Sequence, residues 1–130
     1  MPPPVVVDVN QFSKKTTAMI TTTLPLKIIS VANARLNRFK LAAMNKAQRA
    51  TAKHALQTLA LPPVPPMTII LTRIGPKTLD GDNLAGGFKS CRDGVADWLG
   101  VDDGHPGLDW QYAQRCAGPK AYSVEIEVIA

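Results

Sequence analysis

The stretch 78–104, TLDGDNLAGGFKSCRDGVADWLGVDDG, holds two groups of aspartates. Asp80 and Asp82 stand one residue apart just after an apolar run, and Asp102 and Asp103 follow a segment of helical spacing. In an extended chain positions i and i+2 point the same way, so Asp80 and Asp82 would set two carboxylates side by side. Such a pair suits a hard cation, and magnesium, which keeps several of its waters, needs only two or three carboxylates. A helix of about a dozen residues spans ~18 Å, so the chain must double back to bring Asp103 to the first pair. The competing reading is ordinary helix and turn chemistry. Asp82 or Asn83 would then be an N-cap, and Asp102-Asp103-Gly104 a turn. Asp93 and Asp97 would form a solvated helix face, with Lys89 and Asp93 paired at i, i+4.

The surroundings of these acids are basic. The 130 residues carry a formal net charge of +5. No acid occurs from Val9 to Leu79, where Lys14, Lys15, Lys27, Arg35, Arg38, Lys40, Lys46, Arg49, Lys53, Arg73 and Lys77 all lie. From Asp80 to Asp109 the balance reverses. A basic surface attracts polyanions, above all nucleic acid. An acid cluster set into it would repel phosphate unless cations bridge the two, which points to a metal site facing a phosphate backbone.

Other chemistries are excluded by pattern. An EF-hand starting at Asp80 fails, because Leu84 and Ala85 stand where a ligand and a glycine belong and Cys91 stands where the glutamate should be. There is no Walker A, GxSxG or HExxH sequence. Cys91 and Cys116 form no CxxC, and His54 and His105 are far from a zinc-finger spacing, so two buried or half-buried thiols are expected, not a zinc site. No run of apolar residues is long enough to span a bilayer, and MPPPVVVDVNQF lacks the features of a secretory signal. A cytoplasmic protein is the expectation.

The elements that must position the acids can be read in outline. Residues 1–15 are Pro-rich, then polar and basic, and read as a flexible leader, with one domain over 16–130. TTAMITTTL (16–24) reads as a strand ended by Pro25, with LKIIS extended beyond it, and SVANARLN (30–37) as a polar loop leading to a helix. Residues 38–60 carry an apolar stripe of Leu41, Met44, Ala52, Ala55 and Leu59, interrupted by Gln48, with Lys46, Arg49 and Lys53 on another face. LPPVPP (61–66) ends that helix, and MTIILTRI (67–74) reads as a buried strand. Phe88, Cys91, Val95 and Leu99 predict a second helix stopped by Gly100. LDWQYAQ (108–114) and AYSVEIEVI (121–129) alternate as strands, joined through AGPK as a hairpin. The expected fold is α/β: a single small domain with a mixed sheet of about four strands packed by two main helices.

One pattern in the chain resembles a known family. Asp80-Gly81-Asp82-Asn83-Leu84, then Lys89, then Asp93-Gly94-Val95, then Val101-Asp102-Asp103 resembles the RusA family of Holliday junction resolvases over residues 78–104. The sequence departs from the family pattern between Asn83 and Lys89, where Ala85-Gly86-Gly87 reads as an insertion; the step from Lys89 to Asp93 is kept. The resemblance implies a homodimeric, magnesium-dependent endonuclease that nicks four-way DNA junctions by phosphodiester hydrolysis, in recombination, repair or phage DNA processing. It implies that Asp80, Asp82 and Asp103 hold Mg2+ and that Lys89 stabilises developing negative charge. Asn83, Asp93 and Asp102 would support those ligands. Arg35, Arg38, Lys46, Arg49, Lys53, Arg73 and Lys77 would hold the DNA backbone, a contact that positions without reading sequence. A two-fold dimer would set two sites on symmetry-related strands. Two other classes stay open: a catalytically silent nucleic-acid-binding module on the same scaffold, and a phage accessory or assembly protein whose acids only solvate a helix.

Overall fold

The structure is a computed structural model that describes residues 6–7, 18–29, 37–119 and 121–130. The leader, except Val6 and Val7, and the 30–36 loop with Arg35 lie outside the described residues. The elements are β1 (Val6–Val7), β2 (Ala18–Leu24), α1 (Arg38–Leu59), β3 (Met67–Gly75), α2 (Gly81–Gly87), α3 (Lys89–Leu99), β4 (Leu108–Cys116) and β5 (Ser123–Ile129). The expected α/β class holds. The sheet is mixed, in the order β1-β2-β5-β3-β4, and its first strand is only two residues long. β3 and β4 run parallel, while β5 runs antiparallel to both β2 and β3.

The parallel pair requires a crossover, and α2 and α3 supply it. Its consequence corrects the expected hairpin. β4 and β5 are not neighbours, because β3 lies between them. β3 takes β4 on one edge and β5 on the other, and the chain between those two passes over the end of β3, where the Ala117 amide donates to the Gly75 carbonyl at 2.8 Å. Alternation in a strand reports which face is buried and says nothing of the neighbour. Residues 25–29, which include Leu26–Ile29 of the LKIIS segment, belong to no regular element, and Ser30 lies outside the described residues.

The core lies between one face of the sheet and the helices. Ile20, Leu24, Ile28, Ile69, Leu71, Val124, Ile126 and Val128 meet Ala52 and Leu56 of α1 and Phe88, Cys91, Val95 and Leu99 of the crossover. The α3 stripe is the expected one, and Gly100 ends the helix at a φ of 73°, a left-handed conformation that favours glycine. The α1 stripe differs from expectation. Its fully buried residues are Gln48, Ala52 and Leu56, and Leu41, Met44, Ala55 and Leu59 flank them half-buried. Inside, Gln48 Nε2 donates to the Lys27 carbonyl at 3.2 Å, while its Oε1 has no partner among the described residues. Asn37 starts the helix by accepting from the Lys40 amide at 2.8 Å.

α1 and α3 approach closely at Gly94. A Cβ there would run into the Arg49 carbonyl and lie 2.9 Å from the Ala52 Cβ. Gly94 therefore sets the depth at which the two helices cross.

Candidate functional site

The first carboxylate pair sits at the start of α2. Asp80 is its N-cap: Oδ1 accepts from the Asn83 amide at 2.9 Å and Oδ2 from the Asn83 side chain at 3.0 Å. Asp82 is an exposed residue of the first turn. The expected extended geometry is thus corrected. The backbone turns helical at Gly81, and residues two apart on a helix do not face each other. Both acids instead complement the positive end of the helix. Of the alternatives, the capping role belongs to Asp80 and not to Asp82 or Asn83.

The second group forms a different centre. The Lys89 ammonium donates to Asp93 Oδ1 and to Asp103 Oδ2, both at 2.9 Å. Arg92, one turn on, donates to the Tyr112 hydroxyl at 2.9 Å and to the Asp103 carbonyl at 3.2 Å. Its Nε lies 3.0 Å from Asp103 Oδ2 but is not aligned to donate, so that contact is a charge pair only. The guanidinium stacks 4.8 Å over the Trp110 ring, and the Trp110 indole donates to the same Asp103 carbonyl at 2.8 Å. The hydrogen bond from Lys89, then the charges of Lys89 and Arg92, hold the Asp103 carboxyl below the usual carboxylate range. Hydrogen bonds to Asp93 and Asp103 hold the Lys89 ammonium above the ordinary lysine value. Asp102 takes no part: its carboxylate accepts from the Gly104 amide at 3.0 Å in a tight turn, as the turn reading expects.

Chain folding accounts for Lys89 reaching Asp103. The Ala85-Gly86-Gly87 insertion is absorbed as the last turn of α2, and Phe88 joins α2 to α3. Gly87 is needed there, since a Cβ would meet Ile28 Cγ2 at 2.6 Å and the Ile29 carbonyl at 2.9 Å, whereas Gly86 faces open space. Phe88 is fully buried and stacks on Tyr112 at 5.8 Å, which points the start of α3 along β4.

β4 also anchors the two acid groups. Leu79, beside Asp80, is held through backbone N–H and C=O by the Gln114 side chain, and Asp103 is held by Trp110. Those strand positions are four residues apart, roughly 13 Å at the rise of a strand. A magnesium ion holds its oxygens at about 2.1 Å. Among the described residues, no three His, Cys, Asp or Glu side chains meet at a metal-holding spacing. Asp80, Asp82 and Asp103 carry the carboxylate oxygens that magnesium takes, and here they stand in two separate groups, Asp80 and Asp82 at the start of α2 and Asp103 beside Lys89.

The expected backbone-binding cations divide three ways. Arg38, Lys46 and Lys77 are exposed and Lys53 is partly so, with no ion pair among the described residues. Arg49 is exposed but grips Asp97 through two bonds of 2.6 and 2.8 Å, tying α1 to α3. Arg73 is a correction: only 5% exposed, it donates Nε to the Ile28 carbonyl at 2.9 Å and Nη1 to the Lys77 carbonyl. It is a structural brace with no face for DNA. Cys116 is a second correction, being exposed, while burial pushes the Cys91 thiol up to about 12. Sequence reading missed Arg92, Trp110 and Tyr112. Their signal was present, because Arg92 follows Lys89 by one turn and Trp110 and Tyr112 share a strand face. Exposed Lys40 was not among the expected contacts either.

No protein-family model and no curated protein matches the chain. No helix among the described residues is long and apolar enough to cross a membrane.

Proposed function

We propose that this chain binds the phosphate backbone of branched DNA and nicks it in a magnesium-dependent reaction, with Lys89 and Asp103 at the reacting centre. The observation that carries the reading is the bridge from Lys89 to Asp103, 2.9 Å across fourteen residues of sequence. The resemblance implies that Lys89 and Asp103 serve one reaction, and the insertion before Lys89 does not separate them. Exposed Arg38 and Lys46 and half-buried Lys53 along α1, none of them in an ion pair among the described residues, support contact with a phosphate backbone. Lys89, 61% exposed at its side chain, can reach a phosphate oxygen while Asp93 and Asp103 keep it charged. Arg92, Trp110 and Tyr112 position the Asp103 loop.

A second reading, a nucleic-acid-binding module without catalysis, is favoured by that same arrangement: Asp80 caps a helix and Asp103 is engaged by Lys89 and Arg92. A gel assay on a labelled four-way junction, with and without magnesium and beside Asp103→Asn, separates the two. Nicks that need magnesium and vanish in the variant support the nuclease. Salt-sensitive binding without nicks supports the module. Neither binding nor nicking overturns both.

A further inference from the structure

β4 ends the sheet. It lies outermost in the order β1-β2-β5-β3-β4, and it pairs with β3 through nine consecutive residues without a bulge. Among the described residues, no hydrogen bond other than the ladder to β3 reaches the main chain of residues 109–115. An edge strand presents a row of unpaired N–H and C=O groups, and proteins blunt such edges with proline, lysine, a bulge or shortness. At the other edge the described β1 has only two residues. β4, LDWQYAQRC, is nine residues long and has no proline, glycine or lysine.

The side chains of β4 fit one particular neighbour. Asp109, Gln111, Ala113 and Arg115 lie on the face of the sheet away from the helices, and all four are exposed. The midpoint of the strand is Tyr112. A second β4 set antiparallel beside the first, about a two-fold axis at Tyr112, overlaps it over its whole length. Residues directly opposite in such a ladder share a face and interact. Asp109 then stands opposite Arg115 of the second copy, and Arg115 opposite the Asp109 of that copy. Gln111 faces the small Ala113, twice over, and Tyr112 meets its own copy on the helix side. A slip of one residue would put paired side chains on opposite faces. A slip of two in either direction removes both charge pairs.

Neither charged group is fully engaged. Asp109 accepts from the Thr68 hydroxyl at 3.4 Å and from the Gln111 amide at 3.1 Å, both through Oδ2, and its Oδ1 accepts from nothing among the described residues. Arg115 reaches Glu125 through Nη2 alone, at 3.2 Å, and its side chain is 58% exposed. An unrelated strand could complete the ladder, but the strand's own sequence, run antiparallel, supplies the matching charge at both ends.

We propose that β4 is the self-association edge of the molecule. Two copies pair β4 to β4, antiparallel and in register about Tyr112, and form one continuous sheet with two-fold symmetry. The inference rests on strand register and charge, and it holds whether or not the chain acts on DNA.

The test is sedimentation velocity of the full chain over a range of concentrations, on wild type, on Asp109→Arg and Arg115→Asp each alone, and on the two variants mixed in equal amounts. Wild type is expected to dimerise. Each variant alone sets like charges opposite one another at both pairs, and its dimer dissociation constant is expected to rise tenfold or more. The mixture joins a β4 that is basic at both ends to one that is acidic at both ends, and is expected to regain the wild-type affinity. Both positions are exposed, and circular dichroism verifies the fold. Asp109→Arg leaves the Arg115–Glu125 contact in place and decides by itself if Arg115→Asp does not fold. A wild type that stays monomeric would overturn the proposal, as would a dimer that either folded variant leaves unweakened. Folded variants that dissociate and do not recover on mixing would overturn the register about Tyr112 and the proposal with it.

Discussion

At the residue scale, the aspartates divide by what holds them. Asp97 and Asp103 are kept below the ordinary carboxylate range by hydrogen bonds from Arg49 and Lys89 respectively. A carboxylate with a lowered folded-state pKa adds stability above its unfolded value, about 3.9, and that stability is lost as pH falls through the lowered value. Unfolding followed by circular dichroism from pH 7 downward should therefore show its loss below about pH 4, and Asp103→Asn should flatten that limb. Identical acid limbs would mean that the Lys89–Asp103 contact does not persist in solution. Arg73 gives a second prediction. Arg73→Met leaves the buried Ile28 carbonyl without its donor and should cost roughly 1–3 kcal/mol in denaturant unfolding, with nucleic-acid affinity unchanged. Affinity that falls without loss of stability would return Arg73 to the binding surface. The Lys89–Asp93 pair and the Asp102 turn were legible in sequence because both are local. The role of Arg73 was not, since its partners Ile28 and Lys77 are set by tertiary packing.

At the element scale, local propensity and packing disagree most at α2. Gly81-Asp82-Asn83-Leu84-Ala85-Gly86-Gly87 holds three glycines, an aspartate and an asparagine, all weak helix formers. It is helical because Asp80 caps it and because Leu84 and Gly87 are buried, Gly87 against Ile28. That override turned an expected strand-end pair of carboxylates into a cap and a first-turn residue. The stripes of α1 and α3 were legible because 3.6-residue periodicity reports burial directly. The place of β5 was not, because its period of two names a buried face and no neighbour. Two glycine substitutions probe the packing. Gly94→Ala forces a Cβ against the Arg49 carbonyl and should destabilise by about 1–3 kcal/mol. Gly86→Ala meets nothing and should be neutral or up to ~1 kcal/mol stabilising. Equal effects in thermal unfolding would contradict the close crossing of α1 and α3.

At the scale of the whole molecule, the charge asymmetry read from sequence becomes a spatial arrangement. The acids of 80–109 are largely spoken for, by capping, by Lys89 and Arg92, and by Arg49. The cations Lys46 and Lys53 on α1 have no such partner among the described residues. Lys46→Ala/Lys53→Ala should weaken DNA binding and reduce the slope of log affinity against log salt by roughly 2, about 0.9 per phosphate contact. An unchanged slope would place both lysines in plain solvent. The central claim is that Lys89 and Asp103 form a reacting centre on DNA. The most direct measurement is the magnesium-dependent, single-turnover rate of nicking on a four-way junction for wild type, Lys89→Ala and Asp103→Asn, with junction affinity recorded in parallel. The expected rate is at least a hundredfold lower in both variants, consistent with the usual worth of one positioned charge-stabilising group, at affinity within a few-fold of wild type. Nicking at the wild-type rate in either variant, or no nicking by the wild type, would contradict it.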